Sequence, residues 1–184
     1  MRVTLPLCAV TLIGAVALSS CDQKANTTEQ TTEPATEVVA APAPDYSAKI
    51  REHNDAPMVF DAEQFTIQNP NYRTSLWTGK QSQMTLMSIP VGDDVGLECH
   101  DDVEQFFIVY AGKGTVKMGD AKDNLSMVKE VGPGDGIIIP LSTWHNVINA
   151  SDSEPLKLLS IYAPVEHPAG TVQPTHADAM DEEH

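Results

Sequence analysis

The chain predicts an all-β fold, built as one sandwich or barrel. Three observations predict it. Short apolar or alternating runs recur at even spacing between residues 58 and 164. Turn residues interrupt almost every run. No segment carries a helical apolar period of any length.

The elements follow in order. Runs at 75–78, 84–90, 98–100, 106–110, 114–118, 136–140, 144–149 and 157–162 read as strands. Between them stand Asn69-Pro70-Asn71, Gly92-Asp93-Asp94, Ala111-Gly112-Lys113-Gly114, Gly119-Asp120, Gly132-Pro133-Gly134 and Asn149-Ala150-Ser151-Asp152, all turn formers. Pro140 closes its run, where a proline costs no ladder bond. About 110 residues are enough to bury a single core. Nothing repeats within the chain, which predicts one barrel.

The flanks are different in kind. Arg2 gives a positive start to an apolar run of residues 3–18, followed by Leu18-Ser19-Ser20-Cys21. That is the shape of a secretory signal, and the last four residues resemble a bacterial lipoprotein cleavage box. The resemblance implies a signal peptide over 1–20 and a lipid on Cys21. It places the mature chain in the cell envelope, on the periplasmic or extracytoplasmic side. The run is shorter than the roughly 20 residues that span a bilayer. Residues 21–57 are rich in Thr, Ala, Pro and Glu and read as a disordered tether. Residues 166–184 form a C-terminal extension with an acidic end, Asp178, Asp181, Glu182 and Glu183.

Acidic residues number 26 against 11 basic ones, a net charge of −15. That balance argues against nucleic acid as a partner. Of three cysteines, two lie in the export segment. Cys99 alone remains, so no intrachain disulfide is expected. Its place between Glu98 and His100 points it to the opposite side of a strand, which suits packing.

Two stretches carry the chemistry. In the first, Gly92, Glu98, His100, Gln105 and Gly112 are separated by five, one, four and six residues. In the second, Gly134, Pro140, Ser142, His145 and Asn149 are separated by five, one, two and three. Glu98 and His100, two apart, share one face of a strand; so do Gln105, Phe107 and Val109. Ser142 stands in a turn that suits it if φ is negative there.

These spacings resemble the two motifs of the cupin superfamily, G-x5-H-x-H-x(3,4)-E-x6-G and G-x5-P-x-G-x2-H-x3-N. Glu98 stands for the first His, Gln105 for the Glu and Ser142 for the second motif's second Gly. The wider sequence is similar to a bacterial family of single-domain cupins often labelled mannose-6-phosphate isomerase-like. That label says little about substrate. The resemblance implies a single-domain double-stranded β-helix, the cupin jelly-roll barrel, over residues 58–165. It also implies a divalent metal ion (Mn, Fe, Zn or Ni) held by Glu98, His100, Gln105 and His145.

Two imidazoles, a carboxylate and an amide oxygen suit a first-row divalent ion, as in 2-His-1-carboxylate sites. Gln105 is the weakest ligand and can instead hold a metal-bound water. The expected function is a metal-dependent envelope enzyme acting on a small oxygen-rich molecule by oxygenation, isomerisation or decarboxylation. Glu98 and Tyr162 are the candidate catalytic residues. Phe107, Val109, Trp144, Arg73, Lys80 and Gln83 are further candidates for the pocket, with packing favoured for Trp144 and surface positions for Arg73 and Lys80. The alternative is a non-catalytic lipoprotein that binds a small molecule. A third reading is a structural barrel serving as a dimer scaffold, since cupin homodimers are common.

Overall fold

Nine strands are present among the described residues, and they lie in two antiparallel sheets. The structure is a computed structural model that describes residues 42 and 44–182. The signal peptide, Cys21, most of the expected tether and Glu183 lie outside the described residues.

The strands are β1 (Arg73–Thr78), β2 (Gln83–Ile89), β3 (Glu104–Ala111), β4 (Gly114–Gly119), β5 (Met127–Val131), β6 (Gly136–Ile139), β7 (Trp144–Asn149), β8 (Leu156–Ala163) and β9 (Val172–Gln173). The larger sheet has the order β6-β3-β8-β2-β1-β9, and the smaller β5-β4-β7. The all-β fold expected from the strand rhythm is present, in the jelly-roll form that the family resemblance implied.

Between the sheets lies an apolar core that includes Met87, Ile89, Phe107, Val109, Val116, Ile137, Ile139, Val147 and Leu158. Alternation places it there: Gln105, Phe107 and Val109 are buried, while Glu104 on the same strand is exposed. Burying one such Phe contributes about 2 to 3 kcal/mol.

Strand β2 is buried at nearly every position, because the outer face of its sheet is covered as well. Leu76, Leu86 and Leu159 pack there against Phe65, with Tyr46, Ile50, Met58 and Phe60 around them. Phe65 belongs to α1 (Ala62–Gln68), which the sequence pattern missed. Its signal is a cap: the Asp61 carboxylate accepts from the Gln64 N–H at 3.0 Å.

Residues 44–57, expected to be tether, pack on the barrel. Tyr46 N–H donates to Gln68 Oε1 at 2.8 Å, His53 N–H to Leu76 O at 2.9 Å, and Trp77 Nε1 to Ala56 O at 3.0 Å. Glu52 accepts from Ser75 and Thr78. A run too polar for a core of its own is held by bonds to its neighbours.

The C-terminal extension is also attached. Strand β9 pairs with β1. Helix α2 (His176–Glu182) begins with His176, whose ring stacks on Tyr72 at 4.7 Å and whose Nδ1 meets Asp93 Oδ1 at 2.5 Å. No described helix is long and apolar enough to cross a membrane.

Candidate metal centre

The chain reverses sharply between 92 and 104, and this reversal makes the site. Residues 98–100 were expected to form a strand. They form only a single bridge, in which Glu98 and His145 exchange backbone bonds of 3.0 and 2.9 Å. Asp101 and Asp102 turn the chain immediately afterwards, which leaves too few residues for a ladder. The bridge still sets Glu98 beside His145 of β7.

His100 is fixed from the other motif. Ser142 N–H donates to His100 O at 2.6 Å, and Ser142 Oγ to Asp101 Oδ1 at 3.0 Å. Ser142 has φ +54°, so the turn does need the left-handed conformation, contrary to expectation. A non-glycine residue there costs on the order of 1 kcal/mol. The two bonds tie the turn to the His100 loop.

Gln105 enters from β3 on the opposite sheet, and its Nε2 donates to Ser160 Oγ at 3.3 Å. Its Oε1 is thereby turned toward His145. His145 is fully buried, and its Nδ1 lies 2.9 Å from Thr143 O. A carbonyl only accepts, so Nδ1 carries the proton and Nε2 presents its lone pair inward. Nε2 then faces Glu98 Oε1 at 3.1 Å and Gln105 Oε1 at 3.0 Å. His100 Nε2 stands 3.5 Å from the same Glu98 oxygen.

Acceptor atoms converging at these distances need positive charge between them, from a metal ion or a second imidazole proton. The geometry fits an ion. Ligands about 2.1 Å from a shared metal lie about 3.0 to 3.4 Å apart at octahedral or tetrahedral angles. The ligand atoms of Glu98, His100 and His145 all lie within 4.8 Å of one another. Burial pushes the Glu98 carboxyl up, but the bonds to His100 and His145 outweigh it and hold it at about 2. Glu98 is therefore an anion and a weak base.

Other expected site residues fall in several places. Phe107 and Val109 are core. Trp144 is half-buried with Lys122 above its ring at 5.6 Å. Lys80 is exposed. Gln83 is buried and clamps His167, donating to its carbonyl at 2.8 Å and accepting from its N–H at 2.9 Å. Tyr162 is buried edge-on to His167 at 5.0 Å, and burial first, with the charge of Glu98, pushes its hydroxyl up. Arg73, expected at the surface, is only 2% exposed. Cys99 is a half-buried free thiol.

Glu166 was not expected at all. Its Oε1 lies 3.6 Å from His100 Nδ1, while His100 Nε2 is the nitrogen nearer Glu98. Burial first, then the charges of Glu98 and Asp102, push its carboxyl up. It follows Pro164, which stands after a cis peptide bond. Nothing in either motif marks it.

Asn149, the last residue of the second motif, is structural. Its Nδ2 points at the carbonyls of Ile89, Pro90 and Glu154 at 2.9 to 3.0 Å. Gly112, the last of the first, has φ +83°, and a Cβ there would stand 2.5 Å from Pro155 O.

The cupin domain family matches residues 85–162. That span holds Glu98, His100, Gln105 and His145, and stops short of both Arg73 and Glu166. The protein YrkC of Bacillus subtilis is 47% identical over 136 residues, 74% of this chain and 73% of YrkC. The protein L612 of Acanthamoeba polyphaga mimivirus is 35% identical over 114 residues, 62% of this chain and 69% of L612. The crystal structure of BH2720 from Bacillus halodurans is similar with a TM-score of 0.70 at 48% identity, covering 72% of this chain and 99% of that one.

Proposed function

This chain belongs to the cupin superfamily, and on that premise we propose that it is a metal-dependent enzyme. Its substrate is a small oxygen-rich molecule, changed by oxygenation, isomerisation or decarboxylation. One observation carries the reading: Glu98, His100, Gln105 and His145 converge with their acceptor atoms inward, at spacings one divalent ion can bridge. Glu98, His100 and His145 would hold the ion, with Gln105 as a fourth ligand or as the holder of its water. When bound, the ion supplies Lewis acidity to a substrate oxygen or a water.

The chain's own residues divide the remaining work. Glu98, with its carboxyl near 2, binds and does not take up protons. Glu166, outside the ligand set but beside His100, is the carboxyl placed to hold or move a proton at a reacting oxygen. The Tyr162 hydroxyl, pushed up by burial, keeps its proton and is not a general base. Gln83 fixes the segment that carries His167 and Glu166.

The test is reconstitution with Mn²⁺, Fe²⁺, Zn²⁺ or Ni²⁺ and turnover on a panel of sugars, phenols, and hydroxy and keto acids. Turnover that disappears in both Glu98→Ala and His145→Ala, together with bound metal, supports the reading. Metal content unchanged in both variants sinks it. A protein that binds metal and a small molecule without turnover is instead a binding lipoprotein.

The envelope location belongs to the same proposal, and Leu18-Ser19-Ser20-Cys21 supports it. The expressed protein should partition into detergent on Triton X-114 phase separation, and a Cys21→Ser variant into water. Equal partitioning of the two would remove the lipid anchor.

A further inference from the structure

Residues 164–171 join β8 to β9 and belong to no helix or strand. Glu166 stands on this loop, with Oε1 3.6 Å from His100 Nδ1. The path of the loop therefore decides where that carboxyl lies beside the metal centre.

Two side chains from elsewhere hold the path. Gln83 of β2 grips the backbone of His167, accepting from its N–H at 2.9 Å and donating to its carbonyl at 2.8 Å. Glu52, far earlier in the chain, grips the other end: its Oε2 accepts from the Gly170 N–H at 3.1 Å. The exit of the loop is fixed separately, because the Ser75 N–H donates to Thr171 O at 2.8 Å. Glu52 thus bears on residues 166–170 and leaves the start of β9 to β1.

The two clamps form one network. Glu52 Oε2 also accepts from the hydroxyls of Ser75 and Thr78, the latter at 3.0 Å. Thr78 Oγ1 in turn accepts from Gln83 Nε2 at 3.0 Å. Each hydroxyl has one proton to give, and both give it to Glu52. Glu52 Oε1 accepts from the Asn54 N–H at 2.7 Å, so both oxygens of the carboxylate face donors. Burial pushes this carboxyl up, but the bonds from Ser75, Gly170, Thr78 and Asn54 outweigh it and hold it low. An acceptor-only anion suits position 52. An amide of the same shape would set N–H groups against N–H or O–H donors.

We propose that Glu52 is a positioning residue of the metal centre: through Gly170, Ser75 and Thr78 it fixes the loop that holds Glu166 beside His100. The proposal rests on the metal reading above. Glu52, Gln83 and Glu166 all lie outside residues 85–162, the span matched by the cupin family. The segment that carries Glu52 is thus a working part of the site, although Glu52 touches none of Glu98, His100, Gln105 or His145 through any bond described here. Its effect on an ion passes through Glu166, whose charge beside a ligand imidazole favours a bound cation.

The test is a double-mutant cycle on the full chain. Co²⁺ affinity is measured by chelator competition, and the Co²⁺ absorption spectrum is recorded, for the original chain, Glu52→Gln, Glu166→Gln and the double variant. Glu166→Gln should weaken Co²⁺ about tenfold. Glu52→Gln should weaken it by at least about threefold and shift the spectrum in the same sense, and it should change neither once Glu166 is already Gln. Amide exchange of 166–170 should quicken at least about tenfold in Glu52→Gln, with β3 and β8 still protected. Should Glu52→Gln fail to fold, Thr78→Val removes the hydroxyl shared by Glu52 and Gln83, and it must give the same losses. Unchanged Co²⁺ affinity or unchanged exchange of 166–170 overturns the proposal. So does an equal loss of affinity with and without Glu166, which marks a general effect on the fold. Co²⁺ uptake that ignores Glu52 ends this proposal alone. A chain that takes up no Co²⁺ ends the metal reading and this proposal with it.

Discussion

Changing Gln105 to Glu adds one charge at a chosen distance, and the contact with Ser160 survives with the hydroxyl as donor in place of Gln105 Nε2. The two side chains have the same shape, and position 105 is 2% exposed. Glu98 Oε1 and Gln105 Oε1 both contact His145 Nε2, at 3.1 and 3.0 Å, so the two oxygens lie within about 6 Å of each other. Two carboxylates about 5 Å apart repel by about 3 kcal/mol at an effective dielectric of 20. In the metal-free protein this lowers stability by up to that amount, a fall in Tm of roughly 10 °C for a domain of this size. A divalent ion between them removes the repulsion. Metal should therefore bind Gln105→Glu up to about 100-fold more tightly, because about 1.4 kcal/mol is tenfold. The assay is thermal unfolding across a Mn²⁺ titration, beside a competition measurement of Kd with a chelator. A variant that loses no stability without metal, or that binds metal no better than the original, would refute a shared ion at this point.

Other predictions concern the scaffold. His167 is held neutral at about 3, below the roughly 6.5 of a free imidazole. The folded state then binds fewer protons than the unfolded one between those values. Stability is present above about pH 6.5 and falls on acidification by up to about 1.4 kcal/mol per pH unit; urea unfolding at pH 7 and pH 5 should show His167→Gln losing less. Ser142 has φ +54°, so Ser142→Gly should stabilise by about 1 kcal/mol despite losing the exposed bond to Asp101, read as a higher Tm. His176→Ala removes the Tyr72 stack and the Asp93 contact. Hydrogen exchange should then quicken in α2 while β3 and β8 keep their protection.

The strand rhythm was legible because alternation and turn residues act locally. Seven of the expected runs became strands, with bounds shifted by no more than two residues. Strand β5 was not legible, because Met127–Val131 is exposed at four of its five positions and so carries no alternation. Helix α1 hides in seven residues, too few for a period, and only the Asp61–Gln64 cap betrays it. Residues 44–57 looked disordered because their attachment is by long-range hydrogen bonds, which composition does not record.

The site divides in the same way. Glu98, His100, Gln105 and His145 could be read as a set because two spaced motifs marked them, and the fold brings them together. Arg73 looked like an ordinary surface charge, since nothing near it in sequence says that β9 will bury it a hundred residues later. Glu166 lies beyond the last strong strand, in a loop whose path depends on the barrel already being closed.

Metal content of the chain isolated from its native host decides most directly whether these four side chains hold an ion. About one equivalent of a divalent first-row metal per chain is expected, falling to near zero in folded His145→Ala. A folded, unmutated protein that is isolated without metal and takes up none of Mn²⁺, Fe²⁺, Ni²⁺ or Zn²⁺ at neutral pH would contradict it.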